Sequence, residues 1–193
     1  MTAALPSERP GRRRAAWVLA LGLAAAGLSA AIALRQTPHQ HTDLAGRGAP
    51  EFTLPLLRLD SGGPTQLRIG PQDLRGRPLL LHFWAPSCAP CVQELPRWQA
   101  LWQREKDGQG LQILTVAGDE SLDAIAFLRK HGYTFPTVHD ATGLAHRAWG
   151  VDGIPFSAAI SASGQVVGAV EGPLSEQGLA DLARQAQAAT ASP

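Results

Sequence analysis

Phe83-Trp84-Ala85-Pro86-Ser87-Cys88-Ala89-Pro90-Cys91 contains the only two cysteines of the 193-residue chain, separated by two residues. The apolar run Leu79 to Trp84 before it has the length and composition of a buried strand. The pattern that starts near Ala89 and runs towards Trp102 has the period of a helix. The dithiol is therefore expected where a strand ends and a helix begins. The first amides of a helix lack intrahelical partners and, with the macrodipole, favour a negative charge beside them. A thiolate there is stabilised, and such cysteines titrate at about 3.5–7.5 instead of about 8.5. Cys88 is expected as the exposed nucleophile, and Cys91, one turn further on, as the partly buried resolving thiol. Pro90 fits the first helical turn, where its missing amide hydrogen costs nothing.

Two other uses of the pair are weaker. A zinc site needs two more ligands at suitable spacing, and neither a second cysteine pair nor a nearby histidine pair supplies them. A purely structural disulfide closing so short a loop adds little stability. Spacing and strand–helix context both favour redox chemistry.

With these residues the chain resembles the thioredoxin-like superfamily, in its membrane-tethered TlpA, ResA and CcmG (DsbE) branch of thiol–disulfide oxidoreductases. Gly48-Ala49-Pro50-Glu51-Phe52-Thr53-Leu54 resembles the branch's opening strand, and Leu74-Arg75-Gly76-Arg77-Pro78 its lead into the central strand. Gly153-Ile154-Pro155 resembles the loop that holds a cis-proline opposite the cysteines. The similarity runs from about Gly46 to Ala189. It implies catalysis by Cys88 and Cys91 and a substrate surface made by Trp84, Pro86, Ala89, Pro90, Ile154 and Pro155. At the cis-proline loop an incoming chain would be bound by strand addition. It also implies a reductant with no cofactor beyond the dithiol, fed by a membrane electron donor of the DsbD or CcdA type. Its targets would be protein disulfides such as those of apocytochrome c or a copper-site protein. A peroxidase of this fold has threonine three residues before its cysteine, where this chain has Ala85. An oxidase would share the cysteines and differ only in potential. A copper chaperone would need further soft ligands, and the only methionine is Met1.

Two residues are expected to tune the thiols. His82 lies two before Trp84 on the same strand face, where thioredoxin has a buried Asp and the branch a neutral polar residue. It either takes the proton of Cys91 or is a core histidine satisfied by a carbonyl or water. Glu94, three residues after Cys91, shares its helix face. By resemblance it relays a proton or raises a thiol's pKa; the alternative is a first-turn glutamate favoured by the dipole.

The formal net charge of +1 hides an asymmetry. Residues 1–35 carry five Arg against Glu8, a balance of +4, so the remainder carries −3 and offers no basic patch for nucleic acid. Arg12-Arg13-Arg14 precedes twenty uncharged residues, Ala15 to Leu34, enough at about 1.5 Å each to span a bilayer core of about 30 Å. This reads as a basic cytoplasmic stretch (1–14), a transmembrane signal-anchor (15–34), a linker (35–46) and a thioredoxin-like domain (47–193). The protein is expected to be a monomer, single-pass in the inner membrane, with its domain facing the periplasm. A cleaved signal peptide is the competing reading.

The remaining elements follow from pattern and punctuation. Phe52–Leu57 and Thr65–Ile69 read as a hairpin around Asp60-Ser61-Gly62-Gly63-Pro64. Leu111–Val116 reads as a strand, a helix runs from Ser121 to about His131 with Gly132 as its stop, and Phe135–His139 is a short strand. A short helix over Thr142–Trp149, a hairpin of Phe156–Ile160 with Val166–Val170, and a closing helix from about Ser175 to Ala189 complete the order. His131, His139 and His146 lie apart in this layout. The fold class is α/β, a mixed central sheet flanked by helices, with an N-terminal hairpin extension and a membrane helix.

Overall fold

The computed structural model describes residues 39–41, 43–60, 63–108, 110–118 and 121–189. The expected basic stretch, the membrane segment and most of the expected linker lie outside the described residues. Among the described residues no helix is long and apolar enough to cross a membrane.

The centre is β4 (Leu79–Trp84), all six of whose residues are buried. Its side chains alternate between two cores. Leu80 and Trp84 join one cluster, while Leu79, Leu81 and Phe83 join the other. A strand apolar on both faces needs cover on both, which is why it reads as a continuous hydrophobic run. Each large aliphatic or aromatic side chain fully buried here contributes about 1.5–3 kcal/mol.

Around it lie β1 (His39–Gln40), β2 (Leu54–Arg58), β3 (Gly63–Ile69), β5 (Gln112–Ala117), β6 (Thr137–His139), β7 (Phe156–Ile160) and β8 (Val166–Glu171). The sheet order is β1-β8-β7-β4-β5-β6-β2-β3. β4 runs parallel to β5 and antiparallel to β7, and β5 runs parallel to β6, so the sheet is mixed. One face is covered by α1 (Ala89–Glu105), α2 (Ser121–His131) and α4 (Glu176–Ala188). The other is covered by α3 (Leu144–Trp149) and the segment carrying Leu44, Ala49 and Phe52.

Among the described residues the expected strands and helices of the domain are present, with ends moved by one or two residues. Gly132 closes α2 at φ +68°, a backbone region that a residue without Cβ enters freely. Before β2 the boundary differs. His39 and Gln40, read as linker, pair antiparallel with Glu171 and Val170, and His41 donates its amide hydrogen to the Ala169 carbonyl at 2.9 Å. β8 would otherwise be an edge with unpaired backbone groups, so two strand-forming residues suffice to extend the sheet.

Gly70 precedes a 3-10 turn, Pro71–Leu74, that leads into β4. A Cβ at Gly70 would lie 1.7 Å from the Phe52 carbonyl oxygen and 2.8 Å from the Gln72 amide. Backbone is in the way and cannot swing aside. Gly70→Ala is therefore expected to cost about 1–3 kcal/mol, as overpacking does. The check is a lower denaturant midpoint with an unchanged m-value; an unchanged midpoint would contradict it.

Candidate active site

β4 ends at Trp84, and the turn after it delivers Cys88 to the N-cap position of α1. Cys88 and Cys91 form a disulfide with S–S 2.01 Å. Cys88 Sγ accepts the Cys91 amide hydrogen at 3.2 Å. The two sulfurs differ in access: Cys88 is half-buried and Cys91 fully buried. The Ile154–Pro155 bond is cis. Cys88 Sγ lies 3.6 Å from the Ile154 carbonyl oxygen, so the β7-leading loop faces the outer sulfur.

Around that sulfur Ala89 is exposed, and Pro86, Pro90 and Ile154 are half-buried, leaving a mostly apolar surface that an extended chain can meet. Pro155 is buried and shapes the loop from behind, its carbonyl accepting the Gly172 amide hydrogen at 2.8 Å. Trp84 departs from expectation. It is fully buried, donates its indole N–H to Thr115 Oγ1 at 3.2 Å and packs against Phe127 and Phe135. It is a core residue, because the strand alternation that points Leu80 towards α1 points Trp84 there too.

His82 on β4 and Glu94 on α1 meet in the core. Both are buried, and His82 Nε2 lies 3.4 Å from Glu94 Oε1. Glu94 Oε2 accepts the Leu174 amide hydrogen at 2.6 Å. Burial pushes the Glu94 carboxyl up to about 7, against the opposing pull of the Leu174 amide, Arg97 and Trp98. Burial pushes His82 down to about 3 despite a hydrogen bond to the Phe156 carbonyl. The imidazole is thus neutral near pH 7 and a weak base, which favours the core-histidine reading over uptake of the Cys91 proton. Glu94 is the group of the two that changes charge near neutral pH.

Three features escaped sequence reasoning. Ser157, opposite His82 on β7, places Oγ 3.1 Å from His82 Nδ1. With Thr115 on β5 and Thr137 on β6 these residues form one buried polar row across four strands, in which Thr115 Oγ1 donates to Thr137 Oγ1 at 2.9 Å. Trp98 stacks on His82 with ring centroids 4.4 Å apart. Buried Asp140 accepts the Leu144 and His146 amide hydrogens and lies 2.7 Å from His146 Nδ1, which ties down the start of α3. A lone Ser or Thr in an apolar strand was the available signal for the row, but cross-strand register is needed to join them. Among the described residues no group of three or more His, Cys, Asp or Glu is arranged to hold a metal ion.

Residues 45–168 match the AhpC/TSA family. A thiol-disulfide oxidoreductase ResA from Bacillus subtilis (strain 168) is 33% identical over 137 residues, covering 70% of this chain and 72% of that protein. A second ResA, from Halalkalibacterium halodurans, is 31% identical over 134 residues, covering 69% and 72%. Among solved structures, a thiol:disulfide interchange protein described as DsbE from Chlorobium tepidum superposes with a TM-score of 0.63 at 31% identity, covering 75% of this chain and 96% of that one. The solution structure of a thioredoxin-type protein from Neisseria meningitidis gives 0.64 at 26% identity, covering 75% and 93%.

Proposed function

Because the chain belongs to the AhpC/TSA family, we propose that it works as a ResA-type thiol–disulfide oxidoreductase whose Cys88–Cys91 dithiol reduces disulfides in other proteins. The observation that carries this is the unequal access of the two sulfurs at one helix N-terminus, with the outer one facing the cis-proline loop. In the reduced protein Cys88 is the thiolate, favoured by the Cys91 amide that already points at its sulfur. It attacks a substrate disulfide while the substrate chain lies along the Ile154 backbone and against Pro86, Ala89 and Pro90. Cys91 loses its proton to Glu94 and attacks Cys88, which releases the second substrate sulfur. The dithiol itself carries two electrons, so the cycle calls on no further cofactor.

The same reading gives the protein an N-terminal membrane anchor, a domain on the periplasmic side, and re-reduction by a membrane dithiol donor of the DsbD or CcdA type. Disulfides of apocytochrome c are the targets that suit a ResA-type protein. Ala85 stands where a peroxidase of the fold carries threonine, which favours disulfide over peroxide as the substrate. The test of direction is the equilibrium potential of Cys88–Cys91 against glutathione or dithiothreitol. A reductant is expected near about −270 mV, and a value near about −120 mV would reverse the assignment to disulfide formation.

A further inference from the structure

Three buried polar atoms of the core lie outside hydrogen-bond geometry, His82 Nε2, Glu94 Oε1 and Trp98 Nε1, although the Trp98 indole still favours the Glu94 carboxylate. The first two face each other at 3.4 Å. The far side of each group is already fixed. Glu94 Oε2 accepts the Leu174 amide hydrogen, and His82 Nδ1 lies beside Ser157 Oγ. With the ring hydrogen on Nδ1, donated to Ser157 Oγ, Nε2 presents a lone pair to Glu94 Oε1. A lone pair facing an ionised carboxylate oxygen is repelled by it. The contact becomes a hydrogen bond when Glu94 Oε1 carries a proton.

We infer that His82 is a positioning residue: with Ser157 Oγ accepting the hydrogen on Nδ1, its Nε2 accepts the hydrogen bond of protonated Glu94 and retains there the proton released by Cys91. This rests on the reading above, in which Cys91 closes the disulfide. The Cys91 S–H bond breaks and its proton goes to the Glu94 carboxylate. The thiolate then forms the S–S bond to Cys88 Sγ while the bond from Cys88 to the substrate sulfur breaks, and that electron pair leaves as the substrate thiolate. The dithiol has lost two electrons and the substrate disulfide has gained them. When a dithiol donor opens the Cys88–Cys91 bond again, Cys91 leaves as a thiolate and reclaims the proton.

The surroundings support a neutral pair. Ser157 reaches the imidazole from β7, Trp98 stacks on it from α1, and the Leu174 amide meets the carboxyl from the segment before α4. Arg97, exposed on the same helix, is the charge acting on Glu94, and it favours ionisation together with Trp98. Desolvation outweighs both, so the carboxyl gains and loses its proton at about 7 while the ring stays neutral.

The experiment is long-range proton–nitrogen correlation of the His82 ring in the 15N-labelled oxidised protein between about pH 5 and about pH 8. It is run with infrared detection of the Glu94 acid band, identified by its loss in Glu94→Gln. The expected result is the Nδ1–H tautomer throughout, and an acid band that moves to higher frequency, towards that of a free acid, in His82→Leu. Ser157→Ala is expected to mix the tautomers. A protonated Nε2, or an acid band unmoved in folded His82→Leu, would overturn the inference. Thiol counting on the same samples separates the two claims: a Cys88–Cys91 pair that does not cycle reversibly overturns the redox reading itself, whatever the tautomer.

Discussion

Cys88→Ser lowers disulfide reduction by about a thousandfold or more, to the uncatalysed background, because the attacking sulfur is removed and a hydroxyl at that place is not ionised. Cys91→Ser behaves differently. Cys88 still attacks, but no second thiol arrives to release the substrate, so a mixed disulfide with the target accumulates. The pair of outcomes follows from access: Cys88 is the half-buried sulfur at the N-cap, and Cys91 is wholly enclosed beside Leu95 and Trp98. Turnover assays and mass spectrometry of the trapped adduct check it. If Cys91→Ser lost the first attack and Cys88→Ser retained it, the roles would be exchanged and the geometry of the site misread.

Glu94→Gln makes the oxidised protein more stable than the parent at pH 8 and leaves the two nearly equal at pH 4. Burial raises the Glu94 carboxyl from 4.5 to about 7, so between those values the folded state holds a proton that the unfolded chain has lost. Stability contributed by that proton is full below 4.5, declines as pH rises, and is gone above about 7. The interval corresponds to about 3 kcal/mol. A glutamine amide can accept from the Leu174 amide and donate to His82 Nε2 without ever charging, so the loss does not occur in the variant. His82 has the opposite dependence: its depressed pKa gives stability above 6.5 that is lost on acidification through about 3. That contribution is shared by both proteins and cancels in their difference. Denaturant midpoints of the two proteins across this pH range provide the measurement, and parallel pH profiles would show that Glu94 is ionised in the folded state.

The two arguments draw on different parts of the chain's information. The strand Leu79–Trp84, the helix beginning at Ala89 and the dithiol between them were legible because each depends on neighbours in sequence: an apolar run, a periodic face, a proline in the first turn. The hairpin of β7 and β8 and the glycine that stops α2 were legible for the same reason. The conformation of Ile154–Pro155 came only through resemblance, since a proline's isomer is not written in its local sequence.

What the sequence determined by itself is the α/β element order and the place of the redox pair, because periodicity and helix-end electrostatics act over a few residues. What only the tertiary structure decided is which side chains share an environment. Trp84, which ends a strand read as buried but was assigned by resemblance to the substrate surface, lies in the core. His39 and Gln40 were read as linker and extend the sheet. Ser157, seventy-five residues after His82, stands directly opposite it. Whether His82 or Glu94 holds a proton near neutral pH depends on how completely each is removed from water and on what faces its second polar atom. Both are set by the packing of α1 and the Leu174 segment over β4 and β7, and so by contacts between residues far apart in the chain.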